Sequence, residues 1–289
     1  MTDRKSAGGR GVPAIGAPGR AAGELPAGHP PATPTVADHE LSEFSGPGLE
    51  IRGASIRGLM HRYRGGPRQD AFSVVYDEAS DTTLVIVCDG VGSLPRSHEA
   101  AAFVTDRLPA HFWAARNWAA AVKSVNAELH ELVARRRAEL GPAEWDANAM
   151  ATTVVAVAIS PGHQGRRVEI VRSDDSTVWA LSREGGWTDV SATTDGDATV
   201  HTGSVRALPT DSPRLHHAET TLTDGALFVM TDGVDVPLRG AAEVRETLAT
   251  WWTSPPAIFD FGAQVGFARK THLDDRTVVG VWATGEDHA

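Results

Sequence analysis

Apolar and polar residues alternate along Leu49-Glu-Ile-Arg-Gly-Ala-Ser-Ile-Arg57, and this period of two predicts a strand. Ala71–Tyr76 and Thr83–Cys88 are further apolar runs of strand length, separated by the turn-like Asp77-Glu-Ala-Ser-Asp81. The period then lengthens. Ala100, Phe103, Val104 and Leu108 share one helical face behind Ser97 as N-cap, and Val122, Val125, Leu129, Leu132 and Val133 mark a second, longer helix. After Pro142 the strand pattern returns at Thr152–Ile159, Arg167–Arg172, Thr177–Leu181, His217–Thr223 and Ala226–Thr231. Asp224-Gly225 predicts a tight hairpin between the last two. Val244, Leu248, Trp251 and Trp252 predict a helix, with the tryptophans in the core, and Ser254-Pro255 reads as the cap and first position of another. Thr277–Trp282 closes the chain as a strand.

Strands, two consecutive helices, more strands, then a helix pair before a last strand do not follow the βαβ alternation of a parallel sheet. The order predicts an α+β fold of sheets packed on each other and covered by helices. Seven prolines fall before Leu49, among Gly and Ala with few bulky apolar residues. Such a stretch buries too little surface to offset its ordering entropy. Residues 1–46 are therefore expected to form a flexible arm, and 47–286 the folded domain.

The 289 residues carry 27 Lys and Arg against 37 Asp and Glu, a formal charge of −10. That balance argues against a nucleic-acid partner, which needs basic residues to neutralise phosphates. No apolar run approaches the roughly 18 residues of a membrane span, so no membrane association is expected. The N-terminus has no continuous apolar region of the signal-peptide kind, and the single cysteine, Cys88, cannot close an internal disulfide. The expected location is cytoplasmic.

The candidate chemistry lies in carboxylates at strand ends. Asp89-Gly90 and Asp232-Gly233 follow apolar runs, while Asp70, Asp175 and Asp274 precede strands. If the two kinds of strand run antiparallel, the five carboxylates gather at one edge. Hard divalent cations take such oxygen ligands, and two of them would sit roughly 3.5–4 Å apart. Asp-Gly is also an ordinary turn signature, as at Asp195-Gly196, so position alone leaves metal site and turn both open.

Taken in order, Gln69-Asp70-Ala71-Phe72, Asp89-Gly90-Val91-Gly92-Ser93, Ala151-Thr152-Thr153, Asp232-Gly233 and Asp274-Asp275-Arg276-Thr277-Val278 resemble the motifs of the protein phosphatase 2C (PP2C, PPM) family of metal-dependent serine/threonine phosphatases, in its bacterial branch. The resemblance runs from about Leu49 to Trp282. It implies a central β-sandwich of two antiparallel sheets flanked by α-helices, two Mg²⁺ or Mn²⁺ ions, and hydrolysis of phosphoserine and phosphothreonine by a hydroxide bridging the ions. Asp89 resembles the carboxylate shared by both metals, with the Gly90 carbonyl on the second. Asp232 and Asp274 resemble ligands of the first, and Asp70 an acidic group near the second. Asp175 resembles the aspartate that helps hold a third, weaker ion. A phosphoprotein is the implied substrate, and a cognate Ser/Thr kinase an implied counterpart.

The chain departs from the family pattern in three places. Gly65 stands where many members have the arginine that holds the substrate phosphate, leaving Arg64 and His61 as candidates for that contact. Val91 stands where eukaryotic members have a histidine after Asp-Gly, and Asp174 stands where a glycine usually precedes the Asp175 equivalent. The lost arginine motivates a rival reading, a weakly active or inactive signalling module of the same fold that binds a phosphoprotein or kinase. A phosphohydrolase acting on nucleotides or small phosphates is a second rival, although no Walker-type loop is visible.

Overall fold

The computed structural model describes residues 13–20, 36–141, 145, 149–192 and 207–284. Among these residues the chain forms two antiparallel sheets and six helices, an α+β fold, and it divides into two compact units. No helix among the described residues is long and apolar enough to cross a membrane.

The first unit contains residues up to Arg68, Trp179–Asp189 and the chain from Leu222. Its sheet comprises β1 (His39–Gly46), β2 (Leu49–Ile56), β7 (Thr177–Leu181), β8 (Trp187–Asp189), β10 (Ala226–Met230) and β11 (Arg276–Ala283), in the order β1-β2-β11-β10-β7-β8. Its helices are α1 (Leu59–Arg64), α4 (Asp232–Gly240), α5 (Ala242–Trp252) and α6 (Ile258–Val265). β11 lies between β2 and β10, which explains why it is apolar nearly throughout. Under it Phe228 stacks on Trp252 at 5.1 Å, and Trp282 meets Phe228 edge-on at 5.3 Å. Trp252 is fully buried, as expected of a core residue.

Pro13–Arg20 also belongs to this unit. Ala14 bridges Ala268 in parallel, with Ile15 N–H donating to Ala268 O and Ala268 N–H to Pro13 O. Lys270 N–H donates to Ala17 O, and Arg269 Nη1 donates to Ile15 O. Ile15, 2% exposed, is part of the first unit's apolar core.

The second unit contains Gln69–Val178 and Val190–Thr221. Its sheet runs β3 (Ala71–Asp77), β4 (Thr82–Cys88), β5 (Val155–Gly162), β6 (Gly165–Arg172) and β9 (His216–Leu222). Leu84 and Ile86 on one face of β4 pack in a core with Val104 and Leu108 of α2 (Ser97–Ala115) and Val122 and Val125 of α3 (Trp118–Leu140). The Asn117 side chain accepts from Ala120 N–H and caps α3.

Several expectations are corrected. β9 and β10 do not form a hairpin; they lie in different sheets. Gly225 there has φ +70°, and a Cβ on it would stand 2.3 Å from Leu181 O, so this turn answers to β7 rather than to a strand pairing. Ser254-Pro255 does not open a helix, because α6 begins at Ile258 with Ala257 before it. Ser97 is the first helical residue rather than the cap, its hydroxyl donating to Leu94 O. Within the stretch expected as an arm, residues 39–46 form β1, paired antiparallel along β2 from His39↔Ile56 to Gly46↔Leu49. Residues 1–12 and 21–35 of that stretch lie outside the described residues.

Candidate functional site

In the second unit, β3 and β4 pair with Ala71 opposite Cys88, so Asp70 before β3 and Asp89 after β4 lie at the same end of the sheet. Burial, and then the negative charge of Asp70 with a smaller share from Asp89, push the Cys88 thiol far above its ordinary range; a Thr152 contact offsets this only in part. Cys88 is fully buried as a thiol and is not placed as a nucleophile.

The turn after β4 is held by the Ala151-Thr152-Thr153 segment. Asp89 O accepts from Thr153 N–H and from Thr152 Oγ1, both at 2.8 Å, and Val91 N–H donates to Ala151 O at 3.0 Å. These bonds use Thr152 and Thr153, so β5 starts only at Val155 rather than at the expected Thr152. A Cβ on Gly90 would lie 2.7 Å from Gln69 O and 3.0 Å from Ser97 C, so only glycine fits there. The Asp89 turn therefore has one backbone path.

Asp175 is exposed in the bend before β7. Its neighbours are tied to the same segment: Ser173 N–H donates to Val154 O at 2.9 Å, and the Ser176 and Thr153 hydroxyls lie 3.3 Å apart. His98, near the start of α2, is buried, and its imidazole is held below its ordinary range chiefly by that burial.

In the first unit, Asp232 is the first residue of α4, after Thr231 as N-cap. Thr231 N–H donates to Thr277 O, and Thr277 N–H donates to Thr231 Oγ1, which ties the helix start to β11. A Cβ on Gly233 would stand 1.9 Å from Asp275 O, so α4 begins in direct contact with the Asp274-Asp275 turn. Across this turn α1 begins just as closely: a Cβ on Gly58 would be 2.3 Å from Asp274 C, and Met60 N–H donates to Leu273 O at 3.0 Å.

That close approach brings His61 to the carboxylates. Its Nδ1 is 2.9 Å from Asp275 Oδ1 and its Nε2 is 3.8 Å from Asp274 Oδ1. The Asp275 side chain is 3% exposed and also accepts from Gly58 N–H at 2.6 Å, whereas the Asp274 side chain is 60% exposed. Ligand atoms of His61, Asp274 and Asp275 all lie within 4.8 Å of one another. Behind them Arg276 is buried, its guanidinium over the Phe267 ring at 3.9 Å and its Nη2 donating to His272 O. Burial above all, then Arg269 and against Asp274, pushes it down to about 9, which leaves it cationic at neutral pH.

Arg64, the last residue of α1, is exposed. Gly65 after it is the helix C-cap, with φ +73°, where an L side chain is strained. The position at which an arginine was expected is thus occupied by a helix stop.

The first unit thus brings His61 to Asp274 and to Asp275, which the motifs alone left without a role, and sets the start of α4, where Asp232 lies, against the Asp274-Asp275 turn. The second unit sets Asp70, Asp89 and Gly90 at one end of its sheet. The carboxylates and the Gly90 carbonyl are the hard oxygen donors that Mg²⁺ and Mn²⁺ take, and the residues present fit such ions.

Residues 57–257 match the family model described as Protein phosphatase 2C; the match ends before Asp274. Comparison with curated protein sequences gives no significant match. Among solved structures, a bacterial serine phosphatase aligns at 18% identity and TM-score 0.55, over 82% of this chain and 99% of that one. A serine/threonine phosphatase of S. agalactiae aligns at 17% identity and TM-score 0.55, over 85% and 100%. RsbX in complex with magnesium aligns at 13% identity and TM-score 0.51, also over 85% and 100%. At these identities the structural likeness speaks for the fold, and the family model, matching well over half the chain, for the lineage. The chain belongs to the protein phosphatase 2C family of serine/threonine phosphatases.

Proposed function

We propose that this chain is a metal-dependent phosphoprotein phosphatase acting on phosphoserine and phosphothreonine. The observation that carries this reading is the way both Asp-Gly turns are fixed: Gly90 against Gln69 O and Gly233 against Asp275 O, contacts that only glycine allows. Asp70, Asp89, Asp232, Asp274 and the Gly90 carbonyl would hold two Mg²⁺ or Mn²⁺ ions, and Asp175 a third, weaker one. Such ions supply Lewis acidity, making water nucleophilic near neutral pH and offsetting charge on the phosphoryl oxygens.

The protein's own part is to present these carboxylates without reorganisation and to orient the phosphate. Both ring nitrogens of His61 face carboxylates, a poor place for an anion, so Arg64 is the residue we propose for the phosphate contact. Its guanidinium offers paired N–H donors to phosphoryl oxygens. Arg64→Ala is then expected to raise KM for a phosphopeptide by about tenfold with a smaller change in kcat, read from steady-state kinetics. Val91 has no proton to give, so the leaving serine or threonine alkoxide takes its proton from solvent. The substrate is the product of phosphoryl transfer to a hydroxyl, so a Ser/Thr kinase is the natural counterpart.

The test is hydrolysis of a phosphothreonine peptide with Mn²⁺, Mg²⁺ or EDTA, beside a panel of nucleotides. Turnover that needs metal and favours the peptide supports the proposal. No turnover by a folded chain that still binds Mn²⁺ would favour the signalling-module reading. Preference for nucleotides would move the substrate class.

A further inference from the structure

His61 and Asp275 lie 214 positions apart in the chain and meet through side chains. A carboxylate oxygen only accepts, and Asp275 Oδ1 already receives Gly58 N–H. The neutral His61 ring therefore carries its proton on Nδ1, donated to Asp275, and presents the Nε2 lone pair. Nε2 lies 3.8 Å from Asp274 Oδ1. Two electron-rich atoms so placed are stabilised by a cation between them. A first-row divalent ion holds its N and O donors at about 2.0–2.2 Å, which sets two donors on one ion about 3–4 Å apart.

The ring is not placed by chance. Gly58 and Met60 are pressed against residues 273–275, and Arg57 Nη2 donates to His61 O at 3.1 Å, so the helix turn that carries the ring is fixed at both ends. A ligating histidine whose other nitrogen donates to a buried carboxylate is the arrangement by which proteins orient imidazole toward a metal.

We propose that His61, through Nε2, is a nitrogen ligand of the divalent cation held by Asp274, and that Asp275 is the positioning residue that turns the ring toward it. This rests on the reading of Asp274 as a metal ligand. One imidazole in a set of oxygens favours Mn²⁺ over Mg²⁺, because magnesium binds nitrogen weakly.

Pulsed electron paramagnetic resonance on the full chain loaded with Mn²⁺ tests this without any assay of turnover. A ¹⁴N coupling to the ion is expected in the native chain. It should be lost in His61→Ala and in His61→Gln, weakened in Asp275→Ala, and kept in Asp275→Asn, whose amide oxygen still accepts from Nδ1. Titration should show Mn²⁺ affinity falling about 10–100-fold in His61→Ala, with a smaller change for Mg²⁺. A native chain with no nitrogen coupling, whose Mn²⁺ binding is nonetheless destroyed by Asp274→Asn, overturns the proposal and leaves the metal centre standing. Equal Mn²⁺ affinity in native and His61→Ala chains overturns it as well. If the native chain binds no Mn²⁺, or Asp274→Asn binds it normally, the reading of Asp274 fails and this inference fails with it.

Discussion

Changing Asp274 to asparagine is expected to lower metal-dependent turnover roughly a thousandfold, because the charge stabilisation a ligated cation supplies is worth several kcal/mol. About 4 kcal/mol of barrier corresponds to that factor. The substitution keeps shape and polarity. Asp275 N–H donates to Asp274 Oδ1 at 2.9 Å, and an asparagine oxygen accepts the same bond. The side chain is 60% exposed, so no core packing is disturbed. Only the negative charge is lost, and the melting temperature should stay within about 2 °C of native, a change of under about 1 kcal/mol. Kinetics at saturating Mn²⁺ beside a thermal melt would check both halves. Native-like turnover would remove Asp274 from the ligand set.

Gly233→Ala sets two effects against each other. Gly233 is a helical residue of α4, and alanine in a helix interior is favoured over glycine by about 1 kcal/mol. The added methyl, however, would lie 1.9 Å from Asp275 O, a backbone atom with no flexible end to move aside. Forced overpacking of this kind costs about 1–3 kcal/mol or more, so the clash wins. Less the helix gain, the net loss is about 1–2 kcal/mol, and we expect a melting temperature lower by about 2–8 °C. Mn²⁺ binding should weaken along with it, since the shift falls on the backbone that carries Asp232 and Asp274. Gly240→Ala in the same helix meets nothing within 4 Å and serves as the control, with stability unchanged or slightly raised. If both variants melt alike, the contact at Gly233 does not constrain the turn.

What the sequence disclosed follows from the range of the interactions involved. β2, β4 and β11 were legible because a strand buried on one face or both shows that burial in its own residues. β1 was hidden by the opposite condition: at the sheet edge, His39, Ser42, Glu43 and Ser45 are exposed, Glu40 is half-buried on Arg68, and the strand shows no run of apolar residues. α4 went unread because Gly233 and Pro237 lie inside it, and local propensity speaks against a helix that tertiary contact enforces. The Asp224-Gly225 turn was recognised, but its partners were not, since pairing is a property of the sheet and not of the turn. The candidate ligands could be named from short motifs. The His61–Asp275 pair could not, because nothing local in either segment records the other.

The segment around Ile15 also covers backbone that would otherwise be open. Residues 268–270 offer backbone amides along an extended stretch, and Pro13 and Ala17 accept from two of them. A chain shortened to begin at β1 would present that stretch bare, beside the apolar hollow that Ile15 fills. Open backbone next to an apolar hollow is a template for any passing extended peptide, including the same stretch of another molecule. Pro13–Ala17 thus act as a self-supplied edge guard, and a chain trimmed past them is expected to self-associate more readily than the full one.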